Sequence, residues 1–452
     1  MKICHVTEYC HASGYGGTER YVLELIRALE RTGWQNSIGW LCSEKDLRPF
    51  TLDGIRIAPI CSLASRVDPL DRMFEANAMR TVFRDEKPDF VHFHTFGRAE
   101  AAIARLAVEQ GVPYAFTYHG PALTCRRETL LRWGTIVCDG YVQTLRCAAC
   151  KLQERLGVTP AVAYMGMCLS ALPGLLLGRL ATGKLRRRSA FIADTRLFRA
   201  DLREFLSRCS IVVSCCEWST PLLIANGALP DRVFFCPQGV PVDFAEAAYK
   251  RPKPADARPV ADDAAFVVGY VGRLSPIKGI HILIDAFTRT TYPAARLRIS
   301  GWSPNDSVRQ YTHAVTKRAS RDARISFLPK LPFERMVEEY GRLSLLAIPS
   351  VCMETGPLVL FEALQLGIPV FGCDRVGQLG VLRRNGVVVA PNTAGAWEAT
   401  LNRAFEAHRN RKRLSEEFGF EVPDPAAVRN MSQVGGEMEG AYRRVCQPDE
   451  PA

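Results

Sequence analysis

Two glutamates, Glu354 and Glu362, bracket seven uncharged residues in "ETGPLVLFE". Upstream, "VGRLSPIKG" sets Arg273 and Lys278 five positions apart around a turn. Cations at such a turn can hold the charge of a leaving diphosphate, arginine as a planar fork and lysine as a point charge. Where "PLVLFEALQLG" begins as a helix, free backbone N–H groups form a ready anion site. A carboxylate on either side would accept hydrogen bonds from hydroxyls, Glu354 from a sugar and Glu362 from a ribose. Together the four residues point to a nucleotide carrying a sugar. Taken singly, each has a plainer reading as a helix-dipole carboxylate, a solvated glutamate or an exposed basic residue.

Strands and helices must position these groups. "LLAIPS" reads as a strand and the helix after it stops at Gly367, with Pro357 in its first turn. Glu362 then lies about two turns into the helix, roughly 8 Å further along its axis. The same alternation fills the chain. "KICHVTEY", "NSIGWLC", "GIRIAPI", "DFVHFHT", "PYAFTYHG", "CSIVVSCC" and "RVFFCPQGV" read as strands. A loop with Gly14, Gly16 and Gly17 precedes the amphipathic "TERYVLELIRALERTG", and further helices are expected around 72–86 and 98–110. A second series runs from "FVVGYVGRL" to "GVVVA" and includes a helix near 333–342. Apolar strands alternating with helices imply parallel sheets covered on both faces.

A chain of 452 residues exceeds what one core usually serves, so two domains are expected. We place the first at 1–248, a Pro- and charge-rich linker at 249–265, the second domain at 266–425 and a C-terminal helix at 426–452 that packs back on the first domain. The net charge of +11 suits nucleotides, phosphorylated substrates, anionic membranes or nucleic acid without selecting among them. The N-terminus reads directly as a strand and carries no secretion-signal pattern. With 16 cysteines this predicts a cytosolic chain of reduced or metal-bound thiols.

"GGTER", "TYHG", "VGRLSPIKG" and "ETGPLVLFEALQLGIPV" resemble the retaining glycosyltransferases of family 4, in a subgroup with a cysteine-rich insertion. The resemblance implies an α/β fold of the GT-B type, two Rossmann-like doubly wound parallel-sheet domains facing a central cleft. It further implies an acceptor-binding N-terminal domain, a C-terminal domain for the nucleotide sugar, and no catalytic metal. By the same resemblance Arg273 and Lys278 stabilise the departing diphosphate, Glu362 holds the ribose and Glu354 contacts the donor sugar. The backbone at Gly356, Pro357 and Leu358 lies close to sugar or phosphate. Gly16 and Gly17 would let the first loop approach the diphosphate closely, having no Cβ. His119 matches the histidine near the donor sugar; His94, which shares a face with His92 by the strand period of two, is a further candidate. Thr355 replaces the usual glycine and "DRVGQLG" lacks the usual double glycine, departures that bear on which sugar is carried.

Between the strand that leads to His119 and the strand "CSIVVSCC" lies an insertion, about 121–205, outside the resemblance. Cys125, Cys138, Cys147 and Cys150 supply four thiols, the last two as C-x2-C, which suits a closed tetrahedral zinc site. An iron–sulfur cluster and unligated cysteines are the other readings. Residues 156–178 carry no charge and precede Arg179, Lys184, Arg186, Arg187 and Arg188. Pro160, Gly166, Pro173 and Gly174 interrupt that stretch, so a helical hairpin, buried or dipping into a membrane interface, is preferred to a span.

The expected function is transfer of a hexose from an NDP-sugar to a glycan or lipid-linked glycan in polysaccharide biosynthesis. The expected partners are that donor, the acceptor and a membrane surface contacted peripherally from the cytoplasm. An NDP-sugar epimerase or a phosphorylase on the same fold is the first alternative; no pyridoxal lysine stands out for the latter. A zinc-stabilised nucleic-acid or scaffold protein is the second. No compact patch interleaves aromatic and basic residues, so nucleic acid is not an expected partner.

Overall fold

The computed structural model describes residues 1–8, 16–42, 48–61, 77–171, 183–250, 265–302, 309–329, 331 and 333–446. The chain divides into two compact units, Met1–Cys236 with Gly435–Ala452, and Pro237–Val434. Each is a parallel sheet with helices, the two-domain α/β arrangement of GT-B proteins.

The first unit holds strands β1 (Lys2–Thr7), β2 (Gln35–Cys42), β3 (Phe50–Leu52), β4 (Ile55–Cys61), β5 (Phe90–Phe93) and β6 (Tyr114–Tyr118). A two-stranded hairpin, β7 (Leu131–Arg132) and β8 (Ile136–Val137), interrupts the series before β9 (Ile211–Ser214) and β10 (Val233–Phe235). The main sheet runs β10-β9-β6-β5-β1-β2-β4-β3, and only the short β3 pairs antiparallel. The helix Gly17–Glu30 buries Tyr21, Val22, Leu25, Ile26 and Leu29, the spacing of one helical face. From the far end of the chain, the helix Met431–Cys446 joins this unit through Tyr442 and Glu439. The Tyr442 hydroxyl lies 2.7 Å from His92 Nδ1, and Trp34 Nε1 donates to Glu439 at 3.2 Å.

Among the described residues the second unit has six parallel strands in the order β13-β12-β11-β14-β15-β16. These are β11 (Phe266–Arg273), β12 (Ala295–Trp302), β13 (Ile325–Leu328), β14 (Leu345–Ile348), β15 (Val370–Cys373) and β16 (Gly386–Val389). Every residue of β14 and β15 is buried, as central parallel strands require. The boundary between units falls after Cys236, so the helix Val242–Tyr249 packs in the second, Phe244 against Tyr340 and Leu360.

Among the described residues the insertion folds as the β7–β8 hairpin and the helices Thr144–Leu156, Pro160–Ala171 and Gly183–Arg208. Much of the apolar and basic stretch falls outside the described residues, Pro173, Gly174 and Arg179 among them. Among the described residues no helix is long and apolar enough to cross a membrane.

Candidate functional site

In the second unit the carboxyl ends of β11 and β14 bring together residues far apart in sequence. Arg273 is the exposed last residue of β11. The single turn Pro276–Lys278 follows, ended by Gly279 in the left-handed region at φ +71°. A Cβ on Gly279 would stand 1.9 Å from the Pro349 carbonyl oxygen. Only glycine, which has no Cβ, lets the two loops meet. The Ile277 carbonyl accepts from the N–H of Val351 at 2.8 Å and of Cys352 at 3.2 Å, stitching the loop after β11 to that after β14.

This stitching sets Lys278 Nζ 2.7 Å and 2.8 Å from the two carboxylate oxygens of Glu354. The Ser350 hydroxyl donates to the same carboxylate. Burial alone would raise the Glu354 pKa; the Lys278 charge and hydrogen bonds, Ser350 and then Arg273 override it, and the group lies below its ordinary value. Glu354 is thus a buried carboxylate kept ionised beside two cations. Behind it, Asn392 Nδ2 donates to the carbonyls of Pro349 at 3.1 Å and Ser350 at 2.9 Å. Trp397 Nε1 in turn donates to Asn392 Oδ1 at 2.8 Å and fixes that amide.

The helix after this loop runs Leu358–Gln365. Pro357 is its N-cap, φ −65° and ψ 128°, one position earlier than a first-turn residue, because the extended ψ ends the loop there. Glu362 is consequently four residues past Leu358 and not two turns in. At about 1.5 Å per residue that is about 6 Å along the axis. Its Oε2 accepts from the buried Tyr340 hydroxyl at 2.7 Å. Gly356 has φ +146°, and Gly377 packs so closely on Glu354 that a Cβ would meet its carbonyl at 2.3 Å. Arg273, Lys278, Glu354 and the Gly356–Leu358 backbone therefore share one strand-end region, and Glu362 stands one helical turn away.

In the first unit Gly16 is the N-cap of the helix Gly17–Glu30, and Glu19 folds back over it, its Oε2 2.6 Å from where a Cβ would be. Gly17 has open space there; Gly14 lies outside the described residues. His119 follows β6, and its Nε2 is 3.0 Å from His94 Nδ1. His94 Nε2 is in turn 3.0 Å from His5 Nδ1, and His5 Nε2 is 3.2 Å from Asn36 Oδ1. His92 joins through Thr117 at 2.8 Å and Tyr442. Burial holds these rings neutral: His5 is lowered to about 4, His119 to about 3, and His92 and His94 well below the usual imidazole value. His5, His92 and His94 bring ring nitrogens within 4.8 Å of one another. Hydrogen bonds to each other and to Asn36, Thr117 and Tyr442 occupy those nitrogens, so we read the array as a polar core.

Beside it, at the carboxyl end of β5, lies a carboxyl pair that sequence reasoning passed over. Glu100 is fully buried, and burial, with the Glu8 charge second, pushes its pKa up to about 7. A Cβ on Gly97 would stand 3.1 Å from Glu100 Oε2 and 3.9 Å from Glu8 Oε1. Ser350, Asn392 and Tyr340 were missed as well. Ser350 carried a signal, its place directly after the strand "LLAIP"; the other two are brought in only by tertiary packing.

Two family models match the chain, Glycosyltransferase Family 4 over residues 15–167 and Glycosyl transferases group 1 over residues 254–418. The chain belongs to the family 4 glycosyltransferases. This family 4 chain is similar to D-inositol 3-phosphate glycosyltransferase of Nocardia farcinica, 30% identical over 218 residues, 45% of this chain and 46% of that one. The enzyme of the same name from Rhodococcus jostii is 32% identical over 188 residues, 39% of each. The family 4 chain thus spans less than half the length of these curated relatives. Among solved structures, sucrose-phosphate synthase from Thermosynechococcus elongatus superposes with a TM-score of 0.63 at 16% identity, over 98% of both chains. Anabaena HepE in complex with UDP and glucose gives 0.62 at 15%, over 98% of this chain and 99% of that one. At such identities these two likenesses establish the fold.

Proposed function

We propose that the chain is a retaining glycosyltransferase that moves a hexose from an NDP-sugar to a glycan or lipid-linked glycan. The carrying observation is the Lys278–Glu354–Ser350 cluster beside Arg273, at the carboxyl ends of parallel strands, where open α/β sheets bind ligands. That the HepE structures hold UDP or UDP-glucose, and starch synthase IV of the same fold holds ADP, supports a nucleotide-linked donor.

In this reading the diphosphate lies over the turn at Gly356–Leu358, with Arg273 and Lys278 as its counter-charges and Glu362 on the ribose. As the bond to the anomeric carbon breaks, negative charge grows on the leaving diphosphate, and fixed cations stabilise it without reorganisation. Glu354, kept ionised by Lys278, accepts hydrogen bonds from sugar hydroxyls and orients the ring; we assign it no nucleophilic role. The acceptor hydroxyl would then attack the face that the diphosphate leaves, which retains configuration.

The first unit would receive the acceptor, with His119, Gly16 and Gly17 at the carboxyl edge of its sheet. A lipid-linked acceptor at the cytoplasmic face of a membrane would suit the helix Pro160–Ala171, where Val162, Tyr164 and Met165 are exposed. Proton NMR of sugar released slowly from the donor tests the stereochemistry: first-formed product of the donor's anomeric configuration supports retention, and the opposite anomer refutes it. Failure of the protein to sediment with anionic liposomes at low salt would refute the membrane contact alone.

A further inference from the structure

We infer that Cys125, Cys138, Cys147 and Cys150 bind one zinc ion that fastens the insertion together, a site independent of the glycosyl-transfer reading. The four thiols come from three separate pieces of backbone. Cys125 ends the turn after β6, its N–H donating to the Pro121 carbonyl at 2.7 Å. Cys138 closes the β7–β8 hairpin, its N–H donating to the Leu130 carbonyl at 2.8 Å. Cys147 and Cys150 lie on the helix Thr144–Leu156, three apart and hence on one face. All four line a single cavity of about 30 Å³. That is room for one small ion.

The surroundings suit thiolates bound to a cation. The N–H of Gln143 points at Cys147 Sγ at 3.4 Å and that of Trp133 at Cys150 Sγ at 3.3 Å. Arg127 lines the same cavity and offsets part of the net negative charge of a tetrathiolate zinc, while Arg146 beside it is paired with Asp139 at 2.6 and 2.7 Å.

Backbone strain supplies a separate argument. Glu128, Leu130 and Trp133, between the first two cysteines, hold left-handed φ values of 63°, 52° and 59°. Non-glycine residues keep such conformations only where their surroundings over-determine them. The two-residue strands of the hairpin are too short to do so alone. Among the described residues, no three of the four sulfurs come within 4.8 Å of one another. A tetrahedral site with Zn–S distances of about 2.3 Å holds its sulfurs closer than that. Metal capture therefore draws the hairpin and the Cys125 turn towards the helix. With four protein ligands the site has no open position, and its role is structural.

The test is elemental analysis of the full chain, purified without a histidine tag, with a mercurial titration read by a chromogenic zinc chelator. One equivalent of zinc, released as the thiols are mercurated, supports the site. So does retention of zinc by Cys168→Ser with its loss in Cys150→Ser. The wild-type titration needs no variant, so a misfolded Cys150→Ser leaves the test intact. Three outcomes overturn the inference: absence of stoichiometric zinc after growth with added zinc, bound iron with sulfide, or a Cys147–Cys150 disulfide in the protein as isolated.

Discussion

Lys278 and Glu354, 76 residues apart in sequence, form a bidentate contact, the ammonium nitrogen 2.7 Å and 2.8 Å from the two carboxylate oxygens. The cation proposed to meet a diphosphate is therefore already paired. An incoming diphosphate must share Lys278 with Glu354 or displace it. Glu354→Gln should tighten binding of a nucleoside diphosphate by several-fold while lowering transfer by about 100-fold or more, because the sugar loses an orienting acceptor. Calorimetry of the diphosphate beside a transfer assay checks this. The variant should also be less stable by about 3 kcal/mol, the usual cost of stranding one member of a buried ion pair. Weaker diphosphate binding in a folded variant would count against the competition.

Arg273, exposed at the end of β11, has no such internal counter-charge at bonding distance among the described residues. Arg273→Ala should leave stability within about 0.5 kcal/mol of wild type, as for other surface substitutions. Its kcat should fall by about 100- to 1,000-fold, the usual loss when a group that stabilises developing charge is removed. A thermal melt together with steady-state kinetics separates the two effects. A large loss of stability with little change in kcat would make Arg273 a structural residue.

The strands could be read from their apolar runs because central parallel strands are buried on both faces and need no alternation. The two glutamates and two cations could be read from spacing within single loops. What escaped was contact made across the sheet. His92 and His94 announced a shared face, but His5 joins them only because β1 and β5 pair with His5 opposite His92. Glu100 carries no chemical signal in the sequence, and only the fold sets Gly97 and Glu8 against it. Tyr340 reaches Glu362, and Asn392 the loop after β14, from elements whose own patterns carry no chemical signal. In the insertion the four cysteines were visible, while the short β7–β8 hairpin lacked the length that marks a strand.

The buried ionisable groups of the first unit give it a pH dependence of two signs. Burial lowers His5 from 6.5 to about 4 and His119 to about 3, so their contribution is full above pH 6.5 and is lost as pH falls towards those values. Glu100 is raised from 4.5 to about 7, so its contribution is present below pH 4.5 and lost as pH rises through about 7. The melting temperature should therefore fall on acidification below pH 6.5. Each histidine that stays neutral in the fold removes up to about 1.4 kcal/mol of stability per pH unit. Glu100→Gln should remove this opposing slope, so that the fall in melting temperature on acidification from pH 6.5 to 4.5 becomes steeper, while the limb below pH 4.5 stays in place. An unchanged slope there would show that Glu100 titrates as an ordinary carboxylate.

The most direct measurement is a thermal-shift titration of the purified chain against UDP-, GDP-, ADP- and TDP-sugars, with Glu362→Ala alongside. A ligand that binds only the folded state adds about 2.7 kcal/mol of stability at about 100 times its Kd. One nucleotide family should raise the melting temperature of the wild type, and Glu362→Ala, folded but lacking the ribose acceptor, should respond far less. No response to any of the four, or equal responses in both proteins, would contradict the placement of the donor beside Glu354 and Glu362.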